Sequence, residues 1–214
     1  MRIRGFLLAA AVMTIAACSG IYYRTMENVG IHKRDIMVDR VKAARDTQEE
    51  TKKQFISALE QFKSVVYFKG GDLETEYNKL NATLKKSEAK AAEVRGRIKA
   101  VEDVSEALFD EWRDEIRQYS NETLRRSSQQ KYDATREKFA DLIKAMKRAE
   151  ARLDPALVPL RDQVLFMKHN LNAKAIAGLS SEVVSVQANV DSLVAEMESA
   201  IVQADLFLKA LPSE

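Results

Sequence analysis

Apolar and small residues recur along this chain in alternating steps of four and three. From position 37 they fall at Met37, Val41, Ala44, Gln48, Thr51, Phe55, Ala58, Phe62 and Val65, an unbroken alternation with two polar members. The rhythm returns at Leu73, Tyr77, Leu80, Leu84, Ser87, Ala91, Val94, Ile98, Val101, Ser105, Leu108 and Trp112, and again at Leu124, Ser128, Tyr132, Thr135, Phe139, Leu142, Met146, Ala149 and Leu153. A last stretch carries Leu157, Leu160, Val164, Met167 and Leu171, shifts phase near Ile176 to Leu179, and resumes at Val183, Val186, Val190, Leu193, Met197, Ile201, Ala204 and Leu208. An average spacing of 3.5 residues keeps one stripe of a helix turned toward a partner helix, as in a coiled coil.

Local signals punctuate the rhythm. The first helix is predicted over 31–68, about 55 Å at 1.5 Å per residue, and stops at Gly70-Gly71. Asp72 is placed to cap the next helix, with Glu74 and Glu76 in its first turn. That helix reaches Tyr119 although Gly96 costs it about 1 kcal/mol against Ala. Ser120-Asn121 can cap a third helix, but no Gly or Pro enforces a break, so one continuous rod over 72–153 is the alternative. Asp154-Pro155 reads as a cap followed by Pro at the first helical position, hence the start of a fourth helix, with Pro159 bending its opening turns. Gly178-Leu179-Ser180 marks a kink or short break, and the tail from Leu211 should fray.

The expected architecture is all-α: an elongated antiparallel bundle of about four long helices, in one domain over 31–211, with neighbours crossing at about 20°. Composition agrees. Of 214 residues, 46% are hydrophobic and 31% charged, with 7 Gly and 3 Pro, which excludes a disordered or collagen-like chain and favours long helices.

The first 17 residues read as an address. Arg2 and Arg4 precede the apolar run GFLLAAAVMTIAA over 5–17, too short for the ~20 residues of a membrane span but right for a secretory signal. Ile15-Ala16-Ala17-Cys18 resembles the bacterial lipobox, in which the signal is cut before a cysteine that then carries lipid, and Cys18 is the only cysteine. Lipidation of Cys18, palmitate included, is therefore expected, with residues 18–30 forming a short membrane-proximal lead in which Tyr22 and Tyr23 suit an interfacial position or cap the bundle's end. By resemblance to Gram-negative lipoproteins, Ser19 rather than Asp after the cysteine favours the outer membrane, periplasmic face, over the inner membrane. With no second Cys an internal disulfide is impossible, so stability must come from packing.

Charge narrows the partners. Loss of Arg2 and Arg4 leaves 34 − 2 = 32 basic residues against 32 acidic ones, a neutral body that argues against nucleic acid as the main partner. No Gly-rich turn ends in Gly-Lys-Ser/Thr, so a nucleotide loop has no basis. Glu-x-x-His pairs for a di-metal bundle site are missing too, since Val29 and Phe166 stand three residues before His32 and His169. Those two histidines are expected tens of ångströms apart, which disfavours a shared metal or catalytic site. No catalytic residues, metal, cofactor or small-molecule substrate are expected. Two stretches depart from plain coiled-coil composition, and their Phe109, Trp112, Arg113, Arg161, Phe166 and His169 form the candidate partner-binding surface, since Trp and Arg favour binding hot spots. A thick helical core is the plainer explanation of the same residues.

The stretches MENVGIHKRDIMVDRVKAARDTQEETKKQF (26–55), GGDLE (70–74), LFDEWRDEIRQYSNETLRRSS (108–128) and LRDQVLFMKHNLNAKAI (160–176) resemble the domain-of-unknown-function 2959 family, lipoproteins of Gram-negative bacteria. That resemblance implies location and helical build and brings no catalytic residues. The leading expectation is a lipid-anchored, periplasm-facing scaffold or interaction module of the envelope, binding another protein or itself. An envelope hydrolase or metal-dependent enzyme is the rival, and an anchored adaptor for a transport or stress-signalling complex differs only in its partner.

Overall fold

A computed structural model describes residues 32–68 and 70–211, so the signal segment, Cys18 and the lead with Tyr22 and Tyr23 lie outside the described residues. Four long helices account for the described chain: α1 (Lys33–Val66), α2 (Leu73–Gln118), α3 (Glu122–His169) and, after a short α4 (Ala173–Ala177) and a 3-10 turn (Gly178–Ser181), α5 (Glu182–Ala210). Among the described residues there is no strand.

The 4-3 stripe is the buried stripe. Every seam position named for α1 is buried, and Phe55, Phe62 and Met37 are fully enclosed. Buried residues of all four long helices merge into one continuous core. Ion pairs across neighbouring helices fix direction and register: Lys90 with Glu50 at 2.6 Å joins α2 to α1, and Arg95 with Asp154 at 2.8 Å joins α2 to α3. Arg148 with Glu196 at 2.9 Å joins α3 to α5, and Arg45 with Asp205 at 2.9 Å closes the ring from α1 to α5. The bundle is thus up-down-up-down, with each helix antiparallel to both neighbours.

The reversal after α1 needs its glycines. Gly70 and Gly71 take φ of 144° and 120°, where a side chain would strain the backbone. Asp72 then caps α2 by accepting from the Glu74 amide at 3.0 Å and from the Thr75 hydroxyl. The single-rod alternative for 72–153 does not hold. Residues 119–121 leave the helix, and Asn121 Oδ1 accepts from the amides of Thr123 (2.9 Å) and Leu124 (3.1 Å), which starts α3 as a separate helix.

Asp154-Pro155 does not start a helix, contrary to expectation. α3 runs through both Pro155 and Pro159 to His169. Proline inside a helix removes a backbone bond, at about 3 kcal/mol. Here Leu153, Ala156, Leu157, Leu160, Val164 and Met167 are all buried in one continuing stripe, and that burial outweighs the loss. Asp154 pairs with Arg95 instead of capping. The real break comes at Asn170, whose side chain donates to the Phe166 carbonyl at 2.9 Å. The phase shift at Ile176 to Leu179 coincides with α4 and the 3-10 turn, which tuck both side chains into the end of the core.

The polar seam members fare differently. Thr51 donates to the Thr47 carbonyl at 2.7 Å, and Ser87 donates to the Thr83 carbonyl at 3.0 Å while accepting from Gln54. Gln48 is enclosed with neither amide atom hydrogen-bonded. An unsatisfied buried amide costs about 1–3 kcal/mol. Replacement Gln48→Leu should therefore raise Tm by about 2–10 °C in a thermal melt, and a fall would show that the amide has a partner in solution. At Gly96 an added methyl would meet nothing within 4 Å, so Gly96→Ala should gain about 0.5–1 kcal/mol in urea unfolding.

Candidate functional site

Helices of unequal length leave the two ends of the bundle unlike. At the end where the described chain begins, Lys33 Nζ meets Glu111 Oε1 at 2.7 Å, so α2 residues 112–118 run past the first turn of α1. Phe139 packs on Phe207 with ring centres 6.0 Å apart, which places the end of α5 near that level of α3. Among the described residues, only α2 and α3 continue beyond the ends of α1 and α5, as a two-helix spur closed by 119–121.

A pair of helices has little interior, so its core must be built from large side chains. Phe109, Ile116 and Tyr132 form a second, smaller core there, with Trp112 and Phe139 packed against it. Phe109 meets Tyr132 and Phe139 edge-on at 5.8 and 5.5 Å, and Trp112 meets Tyr132 edge-on at 5.7 Å. The Trp112 indole donates to Ser128 Oγ at 3.0 Å. Phe109 is therefore interior to the hairpin and outside any docking surface, Trp112 is half-buried, and Arg113 is exposed and pairs with Asp110 at 2.7 Å.

The other three candidate residues lie at the opposite end. Arg161 pairs with Glu88 at 2.7 Å, Phe166 is exposed, and His169 is exposed in the last turn of α3. Ser128 lies beside Trp112 at the spur, so the 41 residues from there to His169 span about 60 Å of helix. The six candidates thus belong to two separate places. His32 lines the groove at the spur end and His169 sits at the far end, as far apart as expected, and both are exposed.

Each end carries an open groove. One of about 390 Å³ lies where α5 has stopped, between His32, Arg34, Leu108, Glu111, Trp112 and Leu211. Another of about 330 Å³ lies between α2 and α3 at the far end, with Tyr77, Leu84, Glu88, Arg161, Leu165 and Lys168 on its walls. Near the far end the exposed apolar side chains are Tyr67, Leu165, Phe166, Leu171 and, in the first turn of α5, Val184. Of these five, only Phe166 was among the candidate residues named from the sequence. Leu165 breaks the 4-3 rhythm beside Val164, which was the available signal.

Among the described residues, no three His, Cys, Asp or Glu side chains converge as a metal would require. No described helix is long and apolar enough to cross a membrane. Carboxylates are instead spent on cations along and between helices. The Lys90 ammonium, and then Arg97, hold Glu93 below the usual carboxylate range. Lys79 and then Gln61 do so for Glu76, and Lys52 for Glu49. The Thr75 hydroxyl lowers Asp72 likewise.

A family model described as protein of unknown function (DUF2959) matches residues 22–211. No curated protein matches the chain.

The lowered carboxylates set a pH dependence. Their folded pKa values lie below the unfolded ones of about 4–4.5, so their contribution is complete above that range and is lost as pH falls through the folded values. Urea midpoints should accordingly be level from about pH 7 to 5 and decline below about 4.5; a midpoint that rises on acidification would contradict the assignment.

Proposed function

The chain belongs to the DUF2959 family, and on that premise we propose that it is a lipid-anchored scaffold of the cell envelope, held at Cys18 and presenting the far end of its bundle to a protein partner or a second copy of itself. The observation that carries this reading is the polarity of the bundle. The described chain begins at His32 beside Trp112, the end nearest to Cys18 in sequence, while exposed Tyr67, Leu165, Phe166, Leu171 and Val184 lie at the other end. Singly exposed apolar residues are ordinary, but five near one end of a molecule with a neutral body mark a surface suited to contact.

The lipobox-like run before the lone Cys18, the basic start and the short apolar stretch support anchoring, and Ser19 favours the outer membrane, periplasmic face. More than one acyl chain on Cys18 would hold the bundle stably, where a single chain is marginal. Rigidity then serves the role. A rod of about 70 Å, the length of α3, carries its far end well away from the bilayer without a long flexible tether. An anchored adaptor for a transport or signalling machine would use the same surface.

Two measurements separate the halves of this proposal. Cells grown with labelled palmitate should label the protein, and Cys18→Ala should abolish the label; retained label would refute lipidation at Cys18. A photo-crosslinking residue at Phe166 in intact envelopes should give a discrete adduct, at dimer mass if the partner is another copy, while the same residue at exposed Lys99 in mid-helix gives none. Absence of any Phe166 adduct would overturn the far-end surface.

A further inference from the structure

The spur carries a second feature that its packing does not use. Across 117–131 there are four cations, Arg117, Arg125, Arg126 and Lys131, against one carboxylate, Glu122, a net charge of 4 − 1 = +3 in a mature chain whose formal charge sums to zero. Arg117 and Arg125 lean on Asp114 and Glu122 within their own helices. Arg126 and Lys131 are exposed and make no ion pair among the described residues. At the tip and beside it, Tyr119 and Leu124 stand 40% and 55% exposed, although Leu124 lies on the apolar rhythm that is mostly buried elsewhere. An open recess of about 260 Å³ between Ile116, Glu122, Arg125, Arg126 and Gln129 separates the two helices at this point.

Geometry says what lies opposite. Only 13 residues, 19–31, separate Cys18 from His32, and fully extended they span at most about 45 Å. That is shorter than the bundle, so the end holding His32 stays near any surface that holds Cys18. The spur projects from this same end, about 10 Å beyond the first turn of α1, by α2 residues 112–118.

We propose that the spur tip, residues 117–131, is a second membrane contact: Arg125, Arg126 and Lys131 meet the phosphates of anionic lipid headgroups while Tyr119 and Leu124 enter the interfacial zone. This rests on the anchoring at Cys18 proposed above. Clustered Lys and Arg beside a bilayer are drawn to anionic lipid, and a tyrosine ring suits the headgroup region because it is apolar along its body and polar at its tip. Two points of attachment, the acylated cysteine and the spur, would set the tilt of the rod and aim its far end outward. A single point of attachment would set no such angle.

The test uses the whole lipidated chain with a polarity-sensitive dye on Ser120→Cys, and on Asn78→Cys at the far end as control, in vesicles of phosphatidylcholine or with about one-third phosphatidylglycerol. Flotation in about 0.5 M salt reads the anchor alone, because exposed charges are then screened. Dye emission in about 0.05 M salt reads the tip. The Ser120 dye should shift to the blue only with the anionic vesicles, reverse with salt, and leave the Asn78 dye unmoved. Charge reversal with Arg126→Glu and Lys131→Glu should lower the docked-to-free ratio by at least about tenfold with unchanged helical circular dichroism. Vesicles that float the chain while the Ser120 dye stays silent would overturn the tip contact and leave the anchor standing. Failed flotation with a persistent low-salt shift would overturn the anchor and leave the tip's lipid affinity. A dye response to soluble envelope proteins but not to vesicles would make the tip a protein-docking surface and end the lipid proposal.

Discussion

Everything in this structure depends on hiding one apolar stripe per helix. One partner helix could cover a stripe that recurs every 3.5 residues, but Ile36, Thr47, Leu59 and Val66 widen the buried face of α1 beyond it, and with no second cysteine for a disulfide the interior has to be made by packing. Four stripes turned inward produce a continuous core along α1, α2, α3 and α5. The constraint is strong enough to carry α3 through two prolines, because breaking the helix there would have put Leu157, Leu160 and Val164 out of phase with Leu142, Met146 and Leu153. It also tolerates an unpartnered Gln48, a cost that buried polar residues in other bundles offset by specifying register.

Charge plays a secondary part. Pairs such as Lys90 with Glu50 and Arg45 with Asp205 sit at helix boundaries, partly exposed, where each contributes little to stability. Their value lies in orientation. The observed pairs match the levels at which each helix runs antiparallel to its neighbours.

Function, on the reading proposed here, comes from what the stripe leaves over. Because α2 and α3 outlast α1 and α5, one end narrows to a hairpin that must build its own aromatic core from Phe109, Trp112, Tyr132 and Phe139. The other end is closed by the α4 and 3-10 turn, which bury Ile176 and Leu179 but leave Phe166 and Leu171 in solvent. An elongated molecule with a basic tip near its anchored end and apolar residues at the other is suited to span a gap between a membrane and a partner.

Helix class, the stripe itself, the Gly70-Gly71 reversal and the Asp72 cap were all legible from the residues alone, because periodicity and capping act within a few positions along the chain. The proposed export signal and lipidation at Cys18 rest on local pattern alone and lie outside the described residues. Two things were not legible: that Asp154-Pro155 would be overridden, and that Phe109 and Trp112 would lie about 60 Å from Phe166 and His169 rather than share a surface. Both depend on where one helix ends against another. A stripe states which face is buried, but its repeat is nearly the same at every turn, so it says little about axial register. Register was decided in three dimensions, by core side chains and ion pairs from distant parts of the chain meeting at particular levels.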